Sequence, residues 1–229
     1  METIEIKDVN GVVLFSHTAE DNTITLTVEA AVSCGVSLAN ANLAGTCLAV
    51  ADLTGADLTG ADLTGADISW ADLADAILIG AKLEDADLKG AFLEGADLNE
   101  ADITGANINW ANLNGAKNIP YIPLSCPSEG AFIGWKKVEW KYLVKLQIPE
   151  DARRCSATTR KCRCDKALVL DITSLDGNEH YDEVTNNRYN ETIYKVGEFV
   201  YPDSFDENRW KECSHGIHFF INKEEAINY

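Results

Sequence analysis

The sequence predicts a mainly β protein, in which a solenoid of very short strands is followed by a small α+β, mostly β, domain. A five-residue phrase of the form ADLTG recurs from residue 36 to about residue 116. Its central position, every fifth residue from Leu38 to Leu113, is Leu in thirteen and Ile in three of sixteen repeats. Beyond residue 130 this period stops, and alternating apolar and polar residues typical of strands replace it.

The period of five fits neither a helix nor a flat strand. Around a helix the central residues would drift at about 100° per residue, and along a strand an odd period would alternate them between two faces. The chain must therefore turn once per repeat, so that all centres point inward and the path closes into a coil. Ala stands two residues before the centre in fourteen repeats, where the corner leaves little room.

These A-(D/N)-L-x-x repeats resemble the pentapeptide-repeat family. The resemblance implies a right-handed, four-sided β-helix with four repeats per coil, so that sixteen repeats form about four coils. We assign residues 36–117 to this β-helix, 1–35 to an N-terminal cap, 118–130 to a proline-rich linker and 131–229 to a C-terminal α+β domain. SEGAFIGWKKV and CSHGIHFFINKEEAINY in this last part resemble a domain without established function that follows such repeats in phage and bacterial proteins.

The first 35 residues are predicted to cap the open end of the solenoid. Apolar alternation on both sides of Val9-Asn10-Gly11 is typical of a β-hairpin. Ile24 and Val28 suit either a strand or the buried face of a short helix that ends at Gly35, and we favour the helix. An uncovered end would expose unpaired backbone and would stack on another end.

The cysteine content and the N-terminal sequence suggest a cytoplasmic protein, and the composition is strongly acidic. The chain carries a net charge of -18, and residues 34–117 alone hold thirteen acids against three lysines. No cationic leader and no long apolar run follow Met1, so we expect neither a signal peptide nor a transmembrane helix. Seven cysteines without framework spacing favour a reducing cytoplasm, that of a bacterial host if the protein is phage-encoded.

The residue before each centre should point outward, in columns whose members lie about 4.8 Å apart. Carboxylates recur there: Asp52, Asp57, Asp62, Asp67, Asp72, Asp87, Asp97 and Asp102. One hypothesis is an acidic DNA mimic that binds a host DNA-binding or defence protein, as the resemblance to gyrase-directed pentapeptide-repeat proteins implies. The alternative is that these aspartates serve turn geometry and solubility.

Five outward positions depart from the polar rule: Trp70, Ile77, Ile79, Phe92 and Trp110. Exposed apolar side chains of this kind often mark contact surfaces. We expect the chain's own C-terminal domain, or a second protomer, to cover them.

The C-terminal domain contains a basic patch: Lys136, Lys137, Arg153, Arg154, Arg160, Lys161 and Arg163. It suits nucleic acid or phosphate, with Trp135 and Trp140 as stacking surfaces. It also suits docking on the acidic repeats, which are tethered nearby. Because a net charge of -18 repels nucleic acid at long range, we favour docking.

Several Cys and His residues raise the question of metal or nucleophilic chemistry: Cys155, Cys162, Cys164, Cys213, His215 and His218. The CxC spacing differs from the usual CxxC zinc knuckle, and we expect one strand face not to present both of its cysteines. Cys213 and His218 could form a thiolate pair, but no nucleophile motif accompanies them. We therefore predict no metal, no cofactor and no catalytic residue.

Together these features predict a cytoplasmic, non-enzymatic module that binds a protein partner, with no membrane contact and with its oligomeric state open. In one alternative, the C-terminal domain is a small enzyme or ligand-binding domain, with a pocket lined by Arg153, Arg154, Cys213 and His218. The other alternative is a purely structural or assembly protein.

Overall fold

A computed structural model of the protein describes residues 1–187, 191–211 and 214–229. The chain divides into two compact units, residues 1–122 and residues 123–229. The first is a β-helix with an N-terminal hairpin and helix, and the second is mostly β. The predicted fold class is therefore confirmed.

The repeats form coils of twenty residues, each made of four repeats. Parallel bridges join residues twenty apart, as in Asn42 with Asp62 and Asp62 with Lys82. Backbone bonds follow the same spacing, with Leu43 N donating to Asp62 O at 2.8 Å. The Leu and Ile centres from residue 38 to residue 98 are fully buried or nearly so. Their burial supplies the stability of the coil, at roughly 1.5–3 kcal/mol for each side chain.

The N-terminal segment forms a hairpin and a helix that are hydrogen-bonded to the first coil. Strands β1 (Glu2–Lys7) and β2 (Val13–Ala19) form an antiparallel hairpin, and helix α1 (Ile24–Ser33) begins after Thr23, whose hydroxyl accepts from Leu26 N. Asn42 N of the first coil donates to Lys7 O at 2.8 Å, and Asp52 N donates to Glu29 Oε1 at 3.0 Å. These hydrogen bonds satisfy backbone N–H groups of the first coil.

The stretch assigned as a proline-rich linker, residues 118–130, contains no helix or strand. Its first part lies with the repeats, because Ile119, Pro120 and Ile122 face the leucine and isoleucine side chains of the last coils. In its second part, Cys126 is buried in the core of the second unit and Leu124 packs against that core. The stretch is thus divided between the two units.

In its described residues, the second unit consists of antiparallel strands and one short helix. Its strands are β3 (Phe132–Val138), β4 (Tyr142–Ile148), β5 (Arg154–Ser156), β6 (Cys162–Cys164), β7 (Ala167–Ser174), β8 (Glu183–Asn186), β9 (Thr192–Lys195), β10 (Phe199–Val200) and β11 (Ile217–Phe219), followed by helix α2 (Lys223–Asn228). The sheets have the orders β10-β7-β4-β3, β11-β6-β5 and β8-β9. Trp135 and Phe220 exchange two backbone hydrogen bonds, which connect β3 to the end of β11.

The strands of the second unit enclose one hydrophobic core, to which β4 contributes Val144, Leu146 and Ile148. Gly134 in β3 lets Phe219 pack closely, because a methyl group there would come within 2.6 Å of the ring.

In the part of the chain that the structure describes, no helix is long and apolar enough to cross a bilayer.

Candidate functional site

The acidic columns are less continuous than the repeat alone suggests. Asp52 is bridged directly to Asp72, and Asp67 to Asp87, so carboxylates follow one another there. In the other two columns Ile77 separates Asp57 from Asp97, and Lys82 separates Asp62 from Asp102. The acidic surface therefore consists of short carboxylate pairs interrupted by apolar and basic side chains.

Each of these aspartates also has a local structural role. One carboxylate oxygen accepts a hydrogen bond from the backbone N–H two residues later, at 2.9–3.2 Å, in Asp52, Asp57, Asp62, Asp67, Asp72, Asp87, Asp97 and Asp102. Hydrogen bonds from Ser37 and from Ser69 hold the pKa values of Asp57 and Asp67, respectively, below the usual range. The hydrogen bonds thus shape the turn, and in Asp57 and Asp67 they favour the ionised carboxylate.

The apolar outward side chains are exposed on the repeats. Trp70, Phe92 and Trp110 are 50%, 46% and 49% exposed, and Ile77 is 39% exposed, whereas Ile79 is half-buried. The Trp70 ring rests on Gly90 of the next coil, where a methyl group would come within 2.5 Å of it. The identity of the surface that covers these side chains stays a prediction.

The predicted basic patch is not one exposed surface. Lys161 and Arg163 are buried. Arg163 donates to the carbonyl oxygens of Asp206, Asn208 and Lys211 and so holds the segment before β11. Neither residue therefore contributes to an exposed docking face.

The remaining arginines of the predicted patch are engaged within the unit. Arg154 donates to the carbonyl oxygens of Gly130, Pro149, Glu150 and Ala152. Arg153 forms salt bridges with Asp165 and Glu207, and Arg160 forms one with Glu225. Arg154 thus ties loops together, while Arg153 and Arg160 are exposed but partly neutralised.

The cysteines of the second unit lie in its core. Cys155, Cys162 and Cys164 are buried, and Cys213 lies outside the described residues. The expectation that one face of β6 would not present both cysteines is wrong, because residues two apart in a strand share a face. Burial raises the pKa of Cys164. Among the described residues no group of three or more His, Cys, Asp or Glu side chains is placed to hold a metal.

The second unit contains a cavity of about 780 Å³ that the sequence did not reveal. Strand β3 contributes Lys136 and Lys137, the start of β6 is preceded by Lys161, and β11 contributes His218. Aromatic side chains form part of the wall: Trp140, Tyr194, Phe220 and Tyr229. Of the pocket proposed from the sequence, His218 is present, whereas Arg153 and Arg154 do not line the cavity.

Lysines outnumber carboxylates among the described residues that line this cavity, with Lys136, Lys137 and Lys161 against Glu139 and Asp203. Burial, and then the neighbouring charge of Lys161, lowers the pKa of Lys136 to about 8. Burial, and then Lys161 and Lys136, lowers the pKa of His218 to about 3, so its imidazole is neutral at physiological pH. His218 Nε2 is buried and has no hydrogen-bond partner within the described residues. The cavity is therefore cationic through its lysines.

Two of the lysines are positioned by contacts with the cavity wall. Lys137 Nζ donates to Ile227 O at 2.7 Å and lies 4.8 Å from the centre of the Trp140 ring. Lys161 Nζ is 3.1 Å from Tyr229 Oη. These contacts connect strand β3, the residue that precedes strand β6, and the C-terminal residues into one wall of the cavity. Sequence spacing gave no signal for it, because its members are up to about ninety residues apart.

Comparison with known families agrees with this architecture. Residues 37–75 and 76–115 match the profile of pentapeptide repeats, and residues 122–226 match a family of unknown function, DUF5758. The chain thus belongs to the pentapeptide-repeat proteins. It carries a DUF5758 domain after its repeats. A search of curated proteins found no match.

Several solved structures are similar to part of the chain. Rfr23, a pentapeptide-repeat protein from the cyanobacterium Cyanothece 51142, is 41% identical over 34% of this chain and 53% of its own, with a TM-score of 0.34. A pentapeptide-repeat protein from Nostoc Pcc 7120 is 38% identical over 37% of this chain and 74% of its own, with a TM-score of 0.34. HetL from Nostoc sp. strain PCC 7120, described as involved in heterocyst differentiation regulation, is 38% identical over 36% of this chain and 40% of its own, with a TM-score of 0.22.

The chain thus spans about half of the length of Rfr23 and less of HetL. Pentapeptide-repeat proteins are in general interaction or structural modules and generally non-enzymatic, whereas the DUF5758 family that matches residues 122–226 is of unknown function.

Proposed function

We propose that the protein is a non-enzymatic interaction module whose acidic repeats bind a basic surface of a partner protein. The partner class that fits is a DNA-binding protein. The chain would then be a phage-encoded DNA mimic that binds a host protein in the bacterial cytoplasm. The observation that supports this most is that carboxylates recur at outward positions of successive coils. Hydrogen bonds hold the pKa values of Asp57 and Asp67 below the usual range, which favours their charged form. Nothing in the cavity of the second unit is needed for this activity.

The charge distribution supports a basic partner. Residues 1–122 hold nineteen acidic and four basic side chains, a net charge of -15, whereas residues 123–229 have a net charge of -3. DNA-binding clefts are lined by Lys and Arg, and their affinity for phosphates is largely electrostatic. A surface whose carboxylates are fixed by turn hydrogen bonds loses little side-chain freedom on binding, which favours association.

The apolar side chains on the same unit provide a second element of recognition. Trp70, Phe92 and Trp110 are about half exposed, and large aromatic side chains commonly dominate the binding energy of protein interfaces. Charge then accelerates encounter and aromatic contact provides affinity. A second protomer of this chain is the alternative occupant of these side chains.

A capture experiment in bacterial lysate tests the proposal. The immobilised protein is compared with a variant in which Asp57, Asp62, Asp67 and Asp72 are replaced by Asn. Asn retains the turn-forming side-chain oxygen and already occupies equivalent positions in Asn42, Asn107 and Asn112, so the variant loses charge and keeps its fold. We expect the wild-type bait to retain DNA-binding proteins and duplex DNA to elute them.

The outcome of this experiment is decided by two comparisons. Proteins that bind both baits equally, or that duplex DNA leaves bound, would contradict the proposal. A Trp110→Ala bait with all aspartates intact separates the aromatic contribution: it should weaken retention without abolishing elution by DNA.

A further inference from the structure

We propose that the cavity of the second unit binds a small phosphorylated molecule that carries a flat aromatic group, the class represented by nucleoside monophosphates. The inference concerns residues 123–229 and does not depend on the function proposed for the repeats. It rests on the lysines that converge on the cavity, on its size and on its aromatic wall.

Charge indicates an anionic ligand. Lys136, Lys137 and Lys161 line the cavity, whereas the acidic side chains among its described lining residues are Glu139 and Asp203. Neither Lys136 nor Lys137 forms a salt bridge with a carboxylate in the described part of the chain. The neighbouring charge of Lys161 contributes to the lowered pKa of Lys136, and a bound dianion would offset this repulsion. Ammonium groups act as point charges and bind phosphate well.

The volume shows that phosphate alone would not fill the site. Cavities of about 300–1,000 Å³ accommodate molecules the size of a drug or cofactor, and this one measures about 780 Å³. Inorganic phosphate would occupy a small part of it near the lysines. The remaining space has room for a larger group attached to the phosphate.

The wall indicates that this larger group is flat and aromatic. Phe220 and Tyr229 pack with ring centres 5.0 Å apart, and Trp140 is 56% exposed and in contact with Lys137. A base stacked on such rings gains affinity without a sequence-specific pattern of hydrogen bonds. His218 Nε2, neutral and without a partner in the described residues, provides a polar atom beside the lysines.

Isothermal titration of the full chain with the monophosphates of adenosine, guanosine, cytidine and uridine tests the proposal. Adenosine and inorganic phosphate serve as the two halves of the ligand. We expect at least one monophosphate to bind at least about tenfold more tightly than either half, since phosphate and ring contacts combine in one molecule. If none of the four binds at millimolar concentration, the proposal is overturned.

Three variants separate the contacts. Lys136→Gln removes one charge from the cavity and should weaken monophosphate binding at least about tenfold. Lys141→Gln removes an exposed charge outside the cavity and should change it less than about twofold. Trp140→Ala should weaken the binding of the monophosphate and leave the binding of inorganic phosphate unchanged. Trp140 is exposed, so this substitution should not disturb the core.

Circular dichroism melting confirms that each variant is folded before titration. Equal binding by the wild-type protein and by folded Lys136→Gln would overturn the assignment of the phosphate site. Equal binding by Trp140→Ala would overturn the assignment of the aromatic wall.

Discussion

At the scale of single residues, Gly90 determines where Trp70 lies. Gly90 has φ +68°, and a methyl group on it would come within 2.5 Å of the Trp70 ring. We predict that Gly90→Ala destabilises the repeat unit by about 1–2 kcal/mol from the left-handed backbone and by a further 1–3 kcal/mol, roughly, from displacement of the ring. Urea unfolding followed by circular dichroism measures this loss.

Gly55 provides a matched control for this substitution. It has the same φ of +68°, but a methyl group there would meet nothing within 4 Å. Gly55→Ala should therefore show the backbone cost alone. Combining Gly90→Ala with Trp70→Ala should recover the additional loss, and equal destabilisation by the two glycine variants would contradict the packing of Trp70 on Gly90.

Lys136 is the residue for which binding and stability should conflict. Its folded-state pKa of about 8 lies below the unfolded value of 10.5, so below pH 8 the folded state carries a charge that the cavity disfavours. We predict that Lys136→Met stabilises the second unit at pH 7 by on the order of 2–3 kcal/mol. The gain should shrink as pH rises from 8 to 10.5, where the folded wild-type lysine loses its proton.

Thermal unfolding of both proteins at several pH values checks this dependence. The matched control is Lys141→Met at an exposed position, which should alter stability by less than about 0.5 kcal/mol. A gain for Lys136→Met that is the same at pH 7 and pH 10.5 would show that packing, and not the buried charge, is responsible.

At the scale of the element, the repeat depends on a side-chain oxygen just before each centre. Asp67 Oδ1 accepts from Ser69 N at 3.0 Å and from Ser69 Oγ at 2.6 Å. We predict that Asp67→Ala destabilises the repeat unit by about 1–2 kcal/mol, because the turn loses both acceptor contacts. Asp67→Asn keeps an oxygen there and should cost less than half as much in the same chemical denaturation experiment.

This comparison also decides which role the acidic residues have. If Asp67→Asn is as destabilising as Asp67→Ala, the negative charge itself stabilises the turn, and loss of partner binding in the Asn variants would then reflect misfolding. If Asn preserves stability, the fold requires only the oxygen, and the charge is available for recognition.

At the scale of the whole molecule, the sequence predicts the repeats far better than the second unit. Leu38 and its successors fix the solenoid because burial, period and turn chemistry agree at every fifth residue. The cavity is different, because Lys136, Lys161 and His218 meet only through strand pairing across long separations. Likewise, the clustering of basic residues in the sequence does not reveal which of them are buried. Arg163 is buried among carbonyl groups, whereas Arg153 is exposed.

The uneven charge of the two units yields a last prediction. With a net charge of -15 on residues 1–122 and -3 on residues 123–229, self-repulsion is concentrated in the repeat unit. Salt shortens the Debye length from about 14 Å at 0.05 M to about 4 Å at 0.5 M, so exposed carboxylates repel one another less. We predict that the full chain unfolds in two thermal transitions and that added NaCl raises the repeat transition more than the other.

Two substitutions assign the transitions. Leu73→Ala removes a fully buried centre and should lower the stability of the repeat unit by about 2.7–5 kcal/mol, whereas Lys136→Met should raise the other transition. If salt shifts the Leu73-sensitive transition no more than the Lys136-sensitive one, the aspartates do not repel one another appreciably in the folded coil. Their hydrogen bonds to the turns would then outweigh the effect of their net charge on stability, and a partner would gain little from neutralising it.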